Sequence, residues 1–388
     1  MERNKSKLQK TGWELESINI VQTPISYINH RSECDPMIEM CGRRVYPVLV
    51  SPMGSVTDEN NYKVWLDHGF ICCVPRTVDF SKRIEISKET FASFSLSEAE
   101  TLETAIGDNK VHYICIDIAH GTMNRLYDIC RRLKSKFNDN VVIMTGNVAT
   151  PEAYPFYADC GINYMRATIG TGSRCTTSAN VGIHYPTATL IDELRMKKAD
   201  WDINHCDIRH EPSTEIIVDG GISNFDDIQK CIALGAFAVM SGSIFAKAQE
   251  ACEPIVFLQP DNLNMADAIP ASEYFEKLAE LKERSTNLDT DDNEYWVAYR
   301  KLSQRKPYRL YYGMSTKLAQ KKTGGSGKTT SEGIARPIAV EYPIAKWAEN
   351  MADYMKSCMS YTGCRTIDEM RKNTELIINL SGDKSFRK

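Results

Sequence analysis

Up to Met240 the chain alternates short β-rich apolar runs with stretches of helical periodicity, and this alternation constrains the fold more than any other feature. The runs are Pro47–Ser51, Phe70–Val74, Phe91–Ser95, Tyr113–Ile118, Val141–Thr145, Tyr164–Thr168, Glu215–Val218 and Phe237–Met240. A parallel strand covered by helices is a short, nearly continuous apolar run bounded by turn residues, and these runs have that form. Between them, residues such as Met123–Phe137 and Asp226–Leu234 place apolar side chains at spacings of three and four, the pattern of a helix with one buried face. Eight such units predict an α/β fold, a closed (β/α)8 TIM barrel. A doubly wound sheet would need a glycine-rich dinucleotide turn after its first strand, and Pro52-Met53-Gly54-Ser55 is not one. In a barrel the chemistry gathers at the C-terminal strand ends, where Asp117, Asn147, Cys175, Asp219 and Ser243 each follow a strand by a few residues.

The 388 residues fit one large barrel with additions. The expectation is a single catalytic domain over 1–388, with an insertion about 253–306 and a flap about 316–340. The insertion has a helical pattern clearest over Ala271–Arg284 and an acidic stretch, Asp289-Thr290-Asp291-Asp292. Gly327-Lys328-Thr329 suggests a phosphate loop, but that motif needs a glycine where Lys322 stands, so the segment is expected to be an active-site flap. A net charge of -4 gives no reason to expect nucleic acid as a partner, and no apolar run approaches the roughly 20 residues that cross a bilayer. Met1–Lys10 is polar and basic, unlike a signal peptide, and thirteen cysteines in such a chain imply reduced thiols and a cytoplasmic location. His205-Cys206 and His210 have no Cys-x-x-Cys partner, which argues against structural zinc.

Cys175 is the cysteine set apart by its surroundings. It stands in Ile169-Gly170-Thr171-Gly172-Ser173-Arg174-Cys175-Thr176-Thr177, just beyond an apolar run. Two glycines let the backbone turn sharply and leave amides and carbonyls open to a phosphate or a cation. A thiol in such a loop is a candidate nucleophile.

This loop resembles the cysteine loop of the IMP dehydrogenase and GMP reductase family, with Gly170, Gly172, Ser173, Cys175, Thr176 and Thr177 in register. Further matches follow in order: Ser51-Pro52-Met53, Asp117-Ile118-Ala119-His120-Gly121, Gly146-Asn147-Val148-Ala149-Thr150, Val218-Asp219-Gly220-Gly221, Met240-Ser241-Gly242-Ser243, Tyr312-Gly313-Met314-Ser315 and Ser331-Glu332-Gly333. The chain looks most like the GMP reductase side of that family.

The resemblance implies an NADPH-dependent oxidoreductase that converts GMP to IMP and ammonia through a thioimidate on Cys175, with Thr177 and Glu332 handling the proton of the leaving amine. It implies that Asp219 takes the ribose 2′- and 3′-hydroxyls as a bidentate acceptor. Ser173, Gly221, Gly242 and Ser243 would surround the phosphate, and Gly220, Gly313, Met314, Ser315, Ser331 and Gly333 would complete the substrate site. Arg76, Asp117, Ile118 and Ala119 would face the cofactor. His30, Arg31, Ser357 and Ser360 would complete the cofactor site of a neighbouring subunit, making the enzyme an oligomer, a homotetramer. Carbonyls of Gly170, Gly172 and Cys175 would hold potassium. Departures from the family pattern fall at Gly54, Thr168, Thr171, Ser178, Thr329 and Ile334, so a related purine nucleotide in place of GMP is an alternative substrate. Two other readings stay open, an IMP dehydrogenase and a nucleotide-binding barrel that has lost catalysis. Lys321–Gly333 lacks the arginine and tyrosine with which the dehydrogenase activates water, and no tandem nucleotide-sensing module lies between Met123 and Asn147; both features favour reductase.

Overall fold

Eight parallel strands ring a common axis: β1 (Val48–Val50), β2 (Cys73–Val74), β3 (Phe91–Phe94), β4 (His112–Asp117), β5 (Val141–Val148), β6 (Tyr164–Ala167), β7 (Glu215–Asp219) and β8 (Ala238–Ser241). The computed structural model describes residues 11–107, 109–172, 176–205, 213–286, 294–323 and 333–379. Neighbours run β1-β8-β7-β6-β5-β4-β3-β2, and the ring closes through a parallel bridge between Val50 and Cys72. The expected (β/α)8 barrel is the observed fold, and each predicted strand overlaps one of these eight. β2 is shorter than its apolar run because the Phe70 amide donates back to the Trp65 carbonyl at 3.0 Å, closing the preceding helix.

Strand residues alternate faces, and the barrel uses that alternation. Cys115 and Tyr113 of β4, Met144 and Val142 of β5, Tyr164 of β6 and Ile217 of β7 belong to one apolar cluster. The intervening Ile114, Ile116, Ile143, Met165 and Ile216 pack in another, with the covering helices. The helix Asn124–Phe137 shows the matching periodicity, burying Leu126, Ile129, Cys130 and Leu133 on one face. Asp117, Gly146, Arg166 and Asp219 share the parity of the first set and stand near the C-terminal ends of their strands.

After β8 the chain builds a second sheet. β9 (Val256–Leu258), β10 (Ile269–Pro270), β11 (Lys306–Tyr311) and β12 (Arg336–Ala339) pair antiparallel in the order β10-β9-β11-β12. The helices Ala271–Thr286 and Glu294–Ser303 lie between its strands in sequence, so the segment expected to be helical also carries strands. Tyr274 stacks on Phe257 at 3.7 Å, fixing the first helix to β9. β11 then delivers Gly313-Met314-Ser315 to the mouth of the barrel. Near the chain's two ends, Ile18–Ile20 pairs antiparallel with Leu376–Ile378.

The eleven described cysteines are unbridged. His205 stacks on Trp201 at 3.8 Å, while Cys206 and His210 lie outside the described residues. Among the described residues no helix is long and apolar enough to cross a membrane.

Candidate active site

A cavity of about 900 Å³ opens at the C-terminal ends of the barrel strands. Among its lining residues is an arginine not singled out from the sequence. Arg166, near the end of β6, has a side chain 5% exposed and lies between two carboxylates. Nη1 donates to Asp117 Oδ1 at 2.7 Å; Nη2 and Nε donate to Asp219 Oδ2 at 2.7 and 3.1 Å. Local sequence explains how it reaches both. Asp117 is in register with Gly146, and Gly146 with Arg166, so β5 stands between the arginine and Asp117. Gly146 presents no side chain there, and its φ of +148° is glycine territory. A Cβ at that position would sit 2.7 Å from the Arg166 Cβ.

Asp219 Oδ2 also accepts from Asn147 Nδ2 at 2.9 Å. Oδ1 takes no hydrogen bond from a described residue, so it is the oxygen left for a ligand. Burial opposes ionisation of Asp117, but Arg166 and then Arg76 outweigh it and hold the carboxyl below the usual carboxylate range. Burial likewise opposes the charge on Arg166, and Asp219 foremost more than restores it. Arg76 Nε approaches Asp117 Oδ2 at 3.7 Å, too long for a hydrogen bond, and that buried nitrogen has no hydrogen-bond partner among the described residues.

The turn after β7 is held by its neighbours. The Thr168 hydroxyl donates to the Asp219 carbonyl at 2.5 Å and meets the Thr171 hydroxyl at 3.0 Å. Thr168 adopts φ +88°, a conformation that strains a β-branched residue. Gly220, at φ +106°, lies so close to Thr171 that a Cβ would come within 2.8 Å of its hydroxyl. Ser241 and Ser243 both donate to the Ile222 carbonyl, at 2.8 and 3.3 Å, tying this turn to the end of β8.

The cavity gathers most of the predicted residues. Asp219, Gly220, Gly221, Gly242 and Ser243 line it, as do Gly313, Met314 and Ser315. Arg76, Asp117, Ile118 and Ala119 line it as well, with Thr177 at the start of the short helix Thr177–Val181. Gly170 and Gly172 are also at its wall, and the Gly170 carbonyl accepts from the Ser178 hydroxyl at 3.0 Å. Ser173, Cys175, Ser331 and Glu332 lie outside the described residues. Gly333 is described but is not among the lining residues.

His30, Arg31, Ser357 and Ser360 form a separate surface group. Arg31 donates to Asp353 Oδ2 at 3.0 Å and to Ser357 Oγ at 3.4 Å, Ser26 donates to the Ser360 carbonyl at 2.8 Å, and none of the four lines the cavity. Arg166, Thr168 and His120 are lining residues absent from the predicted site. Arg166 had a legible signal: an arginine at an interior position of an otherwise apolar barrel strand needs a buried counter-charge.

A family model described as IMP dehydrogenase / GMP reductase domain matches residues 90–284. The chain belongs to this family. Its relatives carry both names. An inosine-5'-monophosphate dehydrogenase of Chlorobaculum parvum is 28% identical over 282 residues, 72% of this chain and 48% of that protein. A GMP reductase of Buchnera aphidicola subsp. Baizongia pistaciae is 26% identical over 333 residues, covering 85% of this chain and 77% of the relative. A GMP reductase of Bacillus subtilis is 31% identical over 234 residues, 58% of this chain and 68% of that one. The chain spans about half the length of the dehydrogenases it matches, between 44% and 48%.

Proposed function

We propose that the chain is a GMP reductase-type oxidoreductase, converting GMP with NADPH into IMP and ammonia. The observation that carries this reading is a single cavity lined both by residues expected on the nucleotide, among them Asp219, Gly221, Ser243 and Met314, and by those expected on the cofactor, Arg76 and Asp117. Thr177 lines the same space, two residues beyond Cys175.

In this reading the Cys175 sulfur adds to C2 of the guanine ring. The C2 amine takes a proton routed through Thr177 and Glu332 and leaves as ammonia; hydride then replaces sulfur at C2 and the thiolate returns. Asp219 Oδ1 accepts from the ribose hydroxyls, while Oδ2 stays with Arg166 and Asn147. Gly221, Gly242 and Ser243, with Ser173, would surround the phosphate, and Gly220 would line the substrate site beside them. Gly313, Met314 and Ser315 meet the base, and Ser331 and Gly333 bring the flap to it. NADPH, when bound, supplies the hydride. The buried Nε of Arg76, paired only loosely with Asp117 and without a hydrogen bond among the described residues, fits an anionic cofactor. Ile118 and Ala119 would pack on its nicotinamide half, and a potassium ion would rest on the carbonyls of Gly170, Gly172 and Cys175. The surface group of His30, Arg31, Ser357 and Ser360 would serve a neighbouring subunit in a homotetramer.

Reductase is favoured over dehydrogenase because Lys321–Gly333 holds one carboxylate, Glu332, and no arginine or tyrosine. The deciding experiment follows NADPH oxidation with GMP and dGMP beside XMP formation from IMP and NAD. Glu332→Gln should slow the GMP reaction by about 10²-fold or more, the loss typical of a positioned acid or base. Sustained XMP formation at a comparable rate would make the enzyme a dehydrogenase, and tight GMP binding without turnover would make it a silent barrel.

A further inference from the structure

Arg166 does more than neutralise a buried charge. Four ionic groups stand in a row across the cavity with alternating sign: Asp219, Arg166, Asp117 and Arg76. The first two links are charge-assisted hydrogen bonds of 2.7 Å, and the last is a looser approach of 3.7 Å. The first three side chains, Asp219, Arg166 and Asp117, are 12%, 5% and 13% exposed, so solvent screens them weakly and each pairing bears on the next. Asp219 stands at the nucleotide end of this row and Arg76 at the cofactor end, if the functional reading above holds; the inference rests on it.

We propose that Arg166 is a positioning residue through which the bound nucleotide strengthens cofactor binding. Asp219 Oδ2 already receives three donors, two from Arg166 and one from Asn147. Ribose hydroxyls donating to Oδ1 spread the carboxylate charge over further bonds, and its hold on Arg166 weakens. The guanidinium then pairs more fully with Asp117. Asp117, better neutralised, releases Arg76, whose buried Nε has no hydrogen-bond partner among the described residues to keep it there. The freed Arg76 meets the anionic cofactor. A guanidinium is needed because its fork reaches two carboxylates in different directions, whereas a lysine ammonium is one point charge on a flexible stem. Linkage makes the effect reciprocal, so cofactor must tighten nucleotide by the same factor.

The test measures binding, with partners that cannot react. Calorimetry gives the NADP+ affinity of the wild-type protein with and without saturating GMP; neither ligand of that pair carries a hydride to transfer. Saturating GMP should raise NADP+ affinity by about five-fold or more, the lower end of usual coupling factors. In Arg166→Lys the factor should fall close to one while each ligand still binds alone. Asn147→Ala removes one donor from the same Asp219 oxygen but leaves all four charges of the row in place, so it should change GMP affinity and keep the factor. Should Arg166→Lys fail to fold, Arg76→Met breaks the other end and should abolish the factor. A wild-type factor of one, an unchanged factor in Arg166→Lys, or its loss in Asn147→Ala would overturn the proposal. If GMP and NADP+ do not bind at all, the reductase reading fails instead, and IMP with NADH, the unreactive pair for a dehydrogenase, runs the same test.

Discussion

Removing the Asp219 carboxylate should cost stability as well as ligand affinity. In Asp219→Ala the Arg166 guanidinium loses two of its hydrogen bonds, and Asn147 loses its 2.9 Å acceptor. Breaking a buried ion pair from one side costs about 3–5 kcal/mol, because an uncompensated charge stays behind. Here Arg166 keeps Asp117 at 2.7 Å, which places the loss near the lower end, about 3 kcal/mol. With an unfolding entropy of about 2.1 cal/mol/K per residue, a chain of 388 residues has roughly 0.8 kcal/mol/K in all, so Tm should fall by about 4 °C. Asp219→Asn keeps a side-chain oxygen and the shape but not the charge, and should fall between mutant and wild type. Ligand-free protein, followed by circular dichroism on heating, separates this effect from lost nucleotide binding. A Tm for Asp219→Ala within a degree of wild type would show that Arg166 does not depend on this carboxylate and that the buried pair adds little to stability.

If the proposed function holds, Cys175→Ala should abolish turnover while calorimetry still detects GMP, because in that reading the sulfur makes the covalent bond while Asp219 and the glycine turns supply most of the affinity; retained turnover above a few per cent would remove Cys175 from its role. Gly146→Ala drives a methyl against the Arg166 carbonyl and Cβ and so displaces the residue that holds Asp117; it should lower both Tm and NADP+ affinity, and a mutant matching wild type in both would mean that β5 does not need the gap. Asp117 is held below its ordinary carboxylate range, so its contribution to stability is complete above the unfolded value of about 3.9 and is lost as pH falls through the lower folded value. Melting at pH 6 and pH 3 should therefore show a smaller loss for Asp117→Asn than for wild type; equal losses would count against the ion pair.

Much of the fold was legible because burial dictates it locally. A parallel strand covered by helices has to be a short apolar run, and a covering helix has to repeat its apolar side chains at three and four residues; both patterns sit in contiguous sequence. Once eight such units were counted, the barrel rule put Asp117, Asp219 and Ser243 at one rim, and they line the cavity there. The second sheet was less legible. β9 spans three residues and pairs with Lys306–Tyr311 across two intervening helices, so nothing within either segment announces the other.

By itself, then, the sequence determined the eight βα units and the level at which the site residues stand, since periodicity and burial act over a few neighbouring positions. Tertiary structure alone decided which charges meet. Arg166 finds Asp117 and Asp219 because barrel closure brings three strand ends to one level, and because Gly146 leaves the path over β5 open. Coulomb and hydrogen-bond energies depend on distances of a few ångströms, and only the closed barrel sets those between residues so far apart in the chain.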